Sequence, residues 1–230
     1  MNIPSGGQKI RDAATIILLD RTAPDEPAVL MGQRGTAAAF MPSKYVFPGG
    51  AVDEADAEVE LSKPVDPLLR RLLAAEPRRD APVSPEAIVT AALRELAEET
   101  GLLTKGTGPA PARWDHYANA GLAPNPNGLI YLFRAITPPG RTRRFDARFL
   151  LLDAESLHGD RNDFSLACDE LSHLHWVPLS QARALDLPFI TEVVLAEISA
   201  MIGRGGPLSQ PQTVPFFDNQ DCEPRFLQIT

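Results

Sequence analysis

Cysteine is nearly absent from this 230-residue chain: Cys168 and Cys222 stand far apart, with no paired Cys-x-x-Cys spacing. A disulfide framework and a thiolate zinc site are thereby excluded, and both are expected as free thiols or small packed residues. Histidine is also scarce. His173 and His175 would share one face of a strand, but no third histidine lies nearby, so they are expected as strand residues rather than metal ligands. Positive charge is in deficit, with 22 Lys and Arg against 30 Asp and Glu and a net charge of −8, which argues against a broad nucleic-acid footprint. Aromatic residues make up only 7% of the chain, and Trp114, Tyr131 and Phe133 are expected to pack in the core rather than stack on a base. There is no long uninterrupted apolar run and no signal-peptide pattern, so neither membrane insertion nor secretion is expected, and a cytoplasmic location is.

What the chain does have is length for one large domain, or a core plus an inserted element, and one dense run of chemistry between Ser84 and Leu102. Ser84 is a good N-cap, Pro85 suits the first helical position, and Gly101 stands where a left-handed C-cap residue is wanted. On the helix so delimited, Glu95, Glu98 and Glu99 fall within an arc of about 100°, while Val89, Leu93 and Leu96 cluster on another side. Three carboxylates on adjacent turns repel one another by a few tenths of a kcal/mol or more per pair, roughly, and a divalent cation would offset that cost. All the donors are hard oxygens, which favours Mg²⁺ or Mn²⁺. Arg94, one turn before Glu98 and two turns after Glu86, is placed to bridge to either and to orient the acidic face.

The pattern Glu86, seven residues, Arg94-Glu95-Leu96-Ala97-Glu98-Glu99-Thr100-Gly101-Leu102 resembles the Nudix box, and Phe47-Pro48-Gly49-Gly50 resembles the turn that opens it. The resemblance implies a mixed α/β (α+β) fold, with a mixed β-sheet sandwiched between helices and the box helix and its preceding loop carrying the site. It also implies that Glu95, Glu98 and Glu99 are metal ligands, with the Gly49 carbonyl as a further one. Arg94 and Glu86 form the orienting pair, Glu95 is the candidate base, and Glu170, six positions before Trp176, is the reserve.

One departure is large. The family normally leaves five residues between the second glycine and the first glutamate, whereas here Ala51 to Pro85 intervene, and Asp80 stands where an uninterrupted box has its opening glycine. The expectation is an insertion spanning residues 51–85 that leaves Gly49-Gly50 in place, with its own amphipathic segment from Pro67 to Ala75 carrying Leu68, Leu69, Leu72 and Leu73.

Two further segments resemble the coenzyme A and acyl-CoA diphosphatase branch. Arg34, Gly35, Ala39, Ser43 and Phe47 follow its spacing, although Ala39 replaces an expected arginine and Ser43 an expected glycine. Thr137-Pro138 followed by Arg143 to Phe149 is similar to a segment of the peroxisomal members, which also carry a long insertion in the box. Ala147 and Leu150 depart from the usual threonine and phenylalanine there, and Gln228-Ile229-Thr230 does not resemble a peroxisomal address. The likeness extends over roughly Ala13 to Ala200.

Arg141, Arg143, Arg144 and Arg148 form a basic cluster suited to phosphate oxygens. Alternation along a strand puts Arg144, Asp146 and Arg148 on one face and Phe145, Ala147 and Phe149 on the other, which makes Arg144 and Arg148, with Arg34, the expected substrate-binding residues. Strands are expected at Ala13 to Leu19, Ala28 to Gln33, Lys44 to Phe47, Leu129 to Ala135 and His173 to Val177, and helices near Leu179 to Leu185 and Thr191 to Ile202. Residues 1–205 form the expected domain. The proline-rich tail, 206–230, is expected to be irregular and either to wrap over the domain or to engage a second copy as a homodimer.

The resemblance implies a metal-dependent hydrolase of a nucleoside diphosphate linked to another moiety. The preferred substrate is CoA or acyl-CoA, cleaved to 3′,5′-ADP and (acyl-)phosphopantetheine. The alternatives are a pyrophosphohydrolase for ADP-ribose, a nucleotide sugar or a dinucleotide, and a catalytically silent nucleotide-binding regulator.

Overall fold

A computed structural model describes residues 9–23, 26–36, 38, 40–78 and 83–230. The long strand β1 (Ile10–Asp20) organises the sheet, and its alternating apolar residues explain how. Ala14, Ile16 and Leu18 face one core, while Ile17 and Leu19 face a second on the other side of the sheet. Along one flank β1 divides its partners. Ala13 to Thr15 pair with the short strand β4 (Gly49–Ala51), and Leu19 and Asp20 pair with β2 (Ala28–Arg34), which also pairs with β3 (Tyr45–Val46).

The next segments lie on the face that holds Ala14, Ile16 and Leu18. After β4 the chain makes a 3₁₀ turn, Glu54–Glu58, and the short helix α1 (Pro67–Ala74), capped by Asp66, which accepts from the backbone N–H groups of Leu68 and Leu69. Leu69, Leu72 and Leu73 are buried in the same core as the main helix α2 (Pro85–Thr100). Residues 52–78 thus pack on the domain core through Val65, Leu69, Leu72 and Leu73. α2 begins and ends as expected: the Ser84 hydroxyl accepts from the Ala87 N–H, and Gly101 closes the helix at φ 75°.

Beyond α2 lie the short strand β5 (Leu103–Thr104) and helix α3 (Asp115–Ala120), and then the sheet resumes with β6 (Ile130–Ile136) antiparallel to β7 (Arg144–Asp153). β7 runs parallel to β1 from Ile10 opposite Arg144 to Leu19 opposite Asp153. β8 (Leu157–His158) pairs with β5 apart from the main sheet, and β9 (Leu171–Pro178) pairs with β2. Helices α4 (Leu179–Ala182) and α5 (Phe189–Gly203) follow, and α5 covers the second face with Val194, Leu195, Ile198 and Met201. The result is a mixed sheet flanked by helices.

The tail corrects an expectation. Within the stretch expected to be irregular, β10 (Val214–Asp218) and β11 (Arg225–Ile229) form an antiparallel hairpin, and β10 joins the sheet parallel to β6 through Phe216 and Phe217. Val214, Phe216 and Asp218 turn inward, so strand alternation persists despite Pro215. Among the described residues no helix is long and apolar enough to cross a membrane.

Candidate active site

The first residue of β4 meets the acidic end of α2. The Gly49 N–H donates to Glu99 Oε2 at 2.7 Å. A Cβ on Gly50 would lie 2.2 Å from Glu95 Oε1, so only glycine lets the strand come this close to the helix carboxylates. A Cβ on Gly49 would meet backbone instead, 2.5 Å from the Ala14 carbonyl oxygen.

Arg94 holds this end of the helix together. Its guanidinium grips Asp56 two-pronged, Nε to Oδ1 at 2.9 Å and Nη2 to Oδ2 at 3.1 Å. It also donates to the Ala51 carbonyl at 2.9 Å, to Glu95 Oε1 at 2.9 Å and to Glu98 Oε2 at 3.0 Å. Glu86 is not its partner: the Glu86 carboxylate accepts from Arg70 Nε of α1 at 2.6 Å on the surface. Two helical turns put Glu86 on the same face as Arg94 but at the far end of α2, where α1 supplies a nearer cation.

The carboxylates nearest the glycines are electrically uncomfortable. Burial, with Glu98 and Glu170 nearby and only partial relief from Arg94, pushes the Glu95 carboxyl up to about 7. Burial and the neighbouring Glu95 push Glu99 up to about 8 despite the Gly49 N–H. Glu99 Oε1 is buried with no hydrogen-bond partner among the described residues. An orphaned carboxylate oxygen beside a second buried carboxylate fits a hard divalent cation. Glu98 is half-exposed and turned onto Arg94, and among the described residues no three ligating side chains already converge on one point.

Glu170, in the loop before β9, is ion-paired with Arg34 at the end of β2, 2.9 Å apart, and its charge acts on both Glu95 and Glu99. The structure thus brings Arg34 and Glu170 to the acidic face. Ser43, at the position where a glycine is expected, has φ 61°, a left-handed conformation glycine adopts freely, and its N–H donates to the Arg34 carbonyl. Ala39 and Asp80 lie outside the described residues.

Arg144 and Arg148 are both engaged inside the protein. Arg144 is buried and donates to the carbonyls of Thr137, Asn219 and Gln220. Arg148 is 3% exposed and joins a buried network with Asp12, Asp146, Arg78 and Arg134. The shared face of β7 is as the alternation predicts, but it is the covered one. The other face, with Phe145, Ala147 and Phe149, lines a cavity of about 840 Å³ whose walls also include Glu95, Gly49, Gly50, Arg34 and Glu170. Four arginines line that cavity: Arg11 and Arg34, which are paired with Asp53 and Glu170, and the exposed Arg141 and Arg143.

His175 bonds its own strand's His173 carbonyl at 2.7 Å, Trp114, Tyr131 and Phe133 are buried, and both cysteines are free, as expected.

No family model matches the chain. The Caenorhabditis elegans protein named "Putative nudix hydrolase 7" is 32% identical over 192 residues, covering 73% of this chain and 51% of that protein, so the chain spans about half the length of this relative. The crystal structure of a NUDIX hydrolase from Alicyclobacillus acidocaldarius is 28% identical, covers 82% of this chain and 90% of that one, and superposes with a TM-score of 0.57. Over the matched length the chain is similar to Nudix hydrolases in sequence and in fold.

Asp56 is a site residue that was not among those expected from the sequence. It follows Gly50 after five intervening residues, the spacing at which the box expects its first carboxylate. The long connection therefore falls after that carboxylate rather than before it. That spacing from Gly50 is the signal in the sequence that points to Asp56.

Proposed function

We propose that this chain is a Nudix hydrolase that cleaves the diphosphate of CoA or an acyl-CoA, using water, to 3′,5′-ADP and (acyl-)phosphopantetheine. Glu95, Glu98 and Glu99, with the Gly49 carbonyl, are the residues that would hold Mg²⁺ or Mn²⁺. When bound, such an ion supplies Lewis acidity toward phosphoryl oxygens and lowers the pKa of coordinated water. Asp56 and Arg94 set the orientation of Glu95 and Glu98. Glu95 is the candidate to accept the proton of the attacking water, and Glu170 is the second candidate. Arg34 holds Glu170 at the site.

The observation that carries the substrate reading is the cavity. It lies within the roughly 300–1,000 Å³ typical of small-molecule sites and combines three kinds of wall: the acidic face at Glu95, exposed Arg141 and Arg143, and an apolar flank with Leu187, Phe189 and Ile190. A molecule with a diphosphate, further phosphate and a long apolar arm uses all three.

The test is incubation with Mg²⁺ or Mn²⁺ against CoA, acetyl-CoA, dephospho-CoA, ADP-ribose and NADH, with Glu98→Gln as control and products identified by mass spectrometry. Release of 3′,5′-ADP from CoA that depends on Glu98 supports the reading. Cleavage of ADP-ribose or NADH alone replaces the substrate, and absence of both turnover and metal binding points to the silent regulator.

A further inference from the structure

The β6–β7 hairpin carries Arg141 and Arg143 on the cavity wall, and among the described residues neither has a carboxylate partner. In a chain of net charge −8 most arginines of this domain are tied to acids: Arg34, Arg78, Arg94, Arg134 and Arg148 all are. The root of the hairpin is braced from inside. Arg144 donates to the Thr137, Asn219 and Gln220 carbonyls at 2.9, 2.6 and 3.0 Å, Asn219 Nδ2 donates to the Ile136 carbonyl, and Thr137 and Phe145 exchange two bonds. The loop bearing the two free guanidiniums is therefore fixed at its base, which reduces the ordering cost of binding.

The strand register places this pair relative to the reacting end. Gly49 is level with Thr15, Thr15 is level with Phe149, and Arg144 lies five residues back along β7. At about 3.3 Å per residue that is roughly 16 Å, longer than a diphosphate. A group bound at the hairpin arginines would therefore be a different part of a ligand from one held at Glu95.

We infer that Arg141 and Arg143 form a subsite for a phosphomonoester of the substrate, separate from the scissile diphosphate. A dianion with three terminal oxygens offers acceptors to two guanidinium forks at once, which a neutral hydroxyl does not. The identity of the substrate rests on the CoA reading above; the subsite itself does not.

The test therefore has two arms. Calorimetric titration without added metal compares adenosine 3′,5′-bisphosphate with adenosine 5′-monophosphate on the wild type, on Arg141→Ala/Arg143→Ala and on Arg141→Lys/Arg143→Lys. The wild type should prefer the bisphosphate by at least about tenfold, the alanine variant should lose that preference, and the lysine variant should keep part of it. Steady-state kinetics should show the ratio of kcat/KM for CoA over dephospho-CoA falling at least about tenfold in the alanine variant. Equal binding of the two nucleotides by the wild type, or a preference that survives in the alanine variant, overturns the subsite. If neither CoA nor dephospho-CoA is cleaved, the catalytic reading fails by itself and the titration still decides the subsite.

Discussion

Arg94 grips Asp56 through two parallel hydrogen bonds, 2.9 and 3.1 Å long, and with the same guanidinium holds Glu95, Glu98 and the Ala51 carbonyl. Asp56 is 2% exposed, and it ties the start of the long connection between β4 and α2 to the acidic end of that helix.

Removing Asp56 should therefore be severe. Asp56→Ala leaves a buried guanidinium partly unpaired, a loss of about 3–5 kcal/mol, and frees Glu95 and Glu98 to move. Glu86→Gln breaks only an exposed pair with Arg70 and should cost no more than about 1 kcal/mol. Urea denaturation with turnover assays on both variants checks the contrast. A more damaging Glu86→Gln would restore Glu86 to the orienting role.

The two glycines should separate stability from activity. A methyl at Gly50 meets the Glu95 carboxylate, the end of a flexible side chain, so Gly50→Ala should fold but displace Glu95 and lower kcat about a hundredfold. A methyl at Gly49 meets backbone at Ala14 and Thr15, so Gly49→Ala should lose about 1–3 kcal/mol of stability. Equal thermal stability of the two variants would contradict this.

Metal binding should release protons. The Glu95 and Glu99 carboxyls lie at about 7 and about 8 in the metal-free fold, above the ordinary glutamate value near 4.3. The stability these groups contribute is therefore fully present below about 4.3 and is lost as pH rises through 7 to 8. A cation replaces the protons, so its apparent affinity should increase over the same window. Mg²⁺ titrations at pH 7 in buffers of different ionisation enthalpy should give different heats, and thermal melts should show the largest Mg²⁺ stabilisation near pH 8. Buffer-independent heats would contradict the assignment.

Much of this was legible. Ser84, Pro85 and Gly101 mark both ends of α2, and the alternation in β1 and β7 marks those strands. Alternation, however, tells which residues share a face and not what covers it. Arg144 and Arg148 share the face that the Glu76–Arg78 segment and the tail cover, so their charges are spent internally. The tail strands were hidden by Pro215 and by their shortness, because their stability comes from pairing with β6, far away in sequence.

Arg148→Leu tests that reassignment. It should destabilise the protein by about 3–5 kcal/mol by leaving Asp12 and Asp146 short of a partner, with no selective rise in KM. A large rise in KM at unchanged melting temperature would return Arg148 to the substrate.

The most direct measurement of the central claim is turnover of CoA with Mg²⁺ in water enriched in heavy oxygen. The products should be 3′,5′-ADP and phosphopantetheine with one heavy oxygen incorporated into one of the two new phosphates, with no labelled product from Glu98→Gln. Intact CoA, or equal labelling by Glu98→Gln, would contradict it.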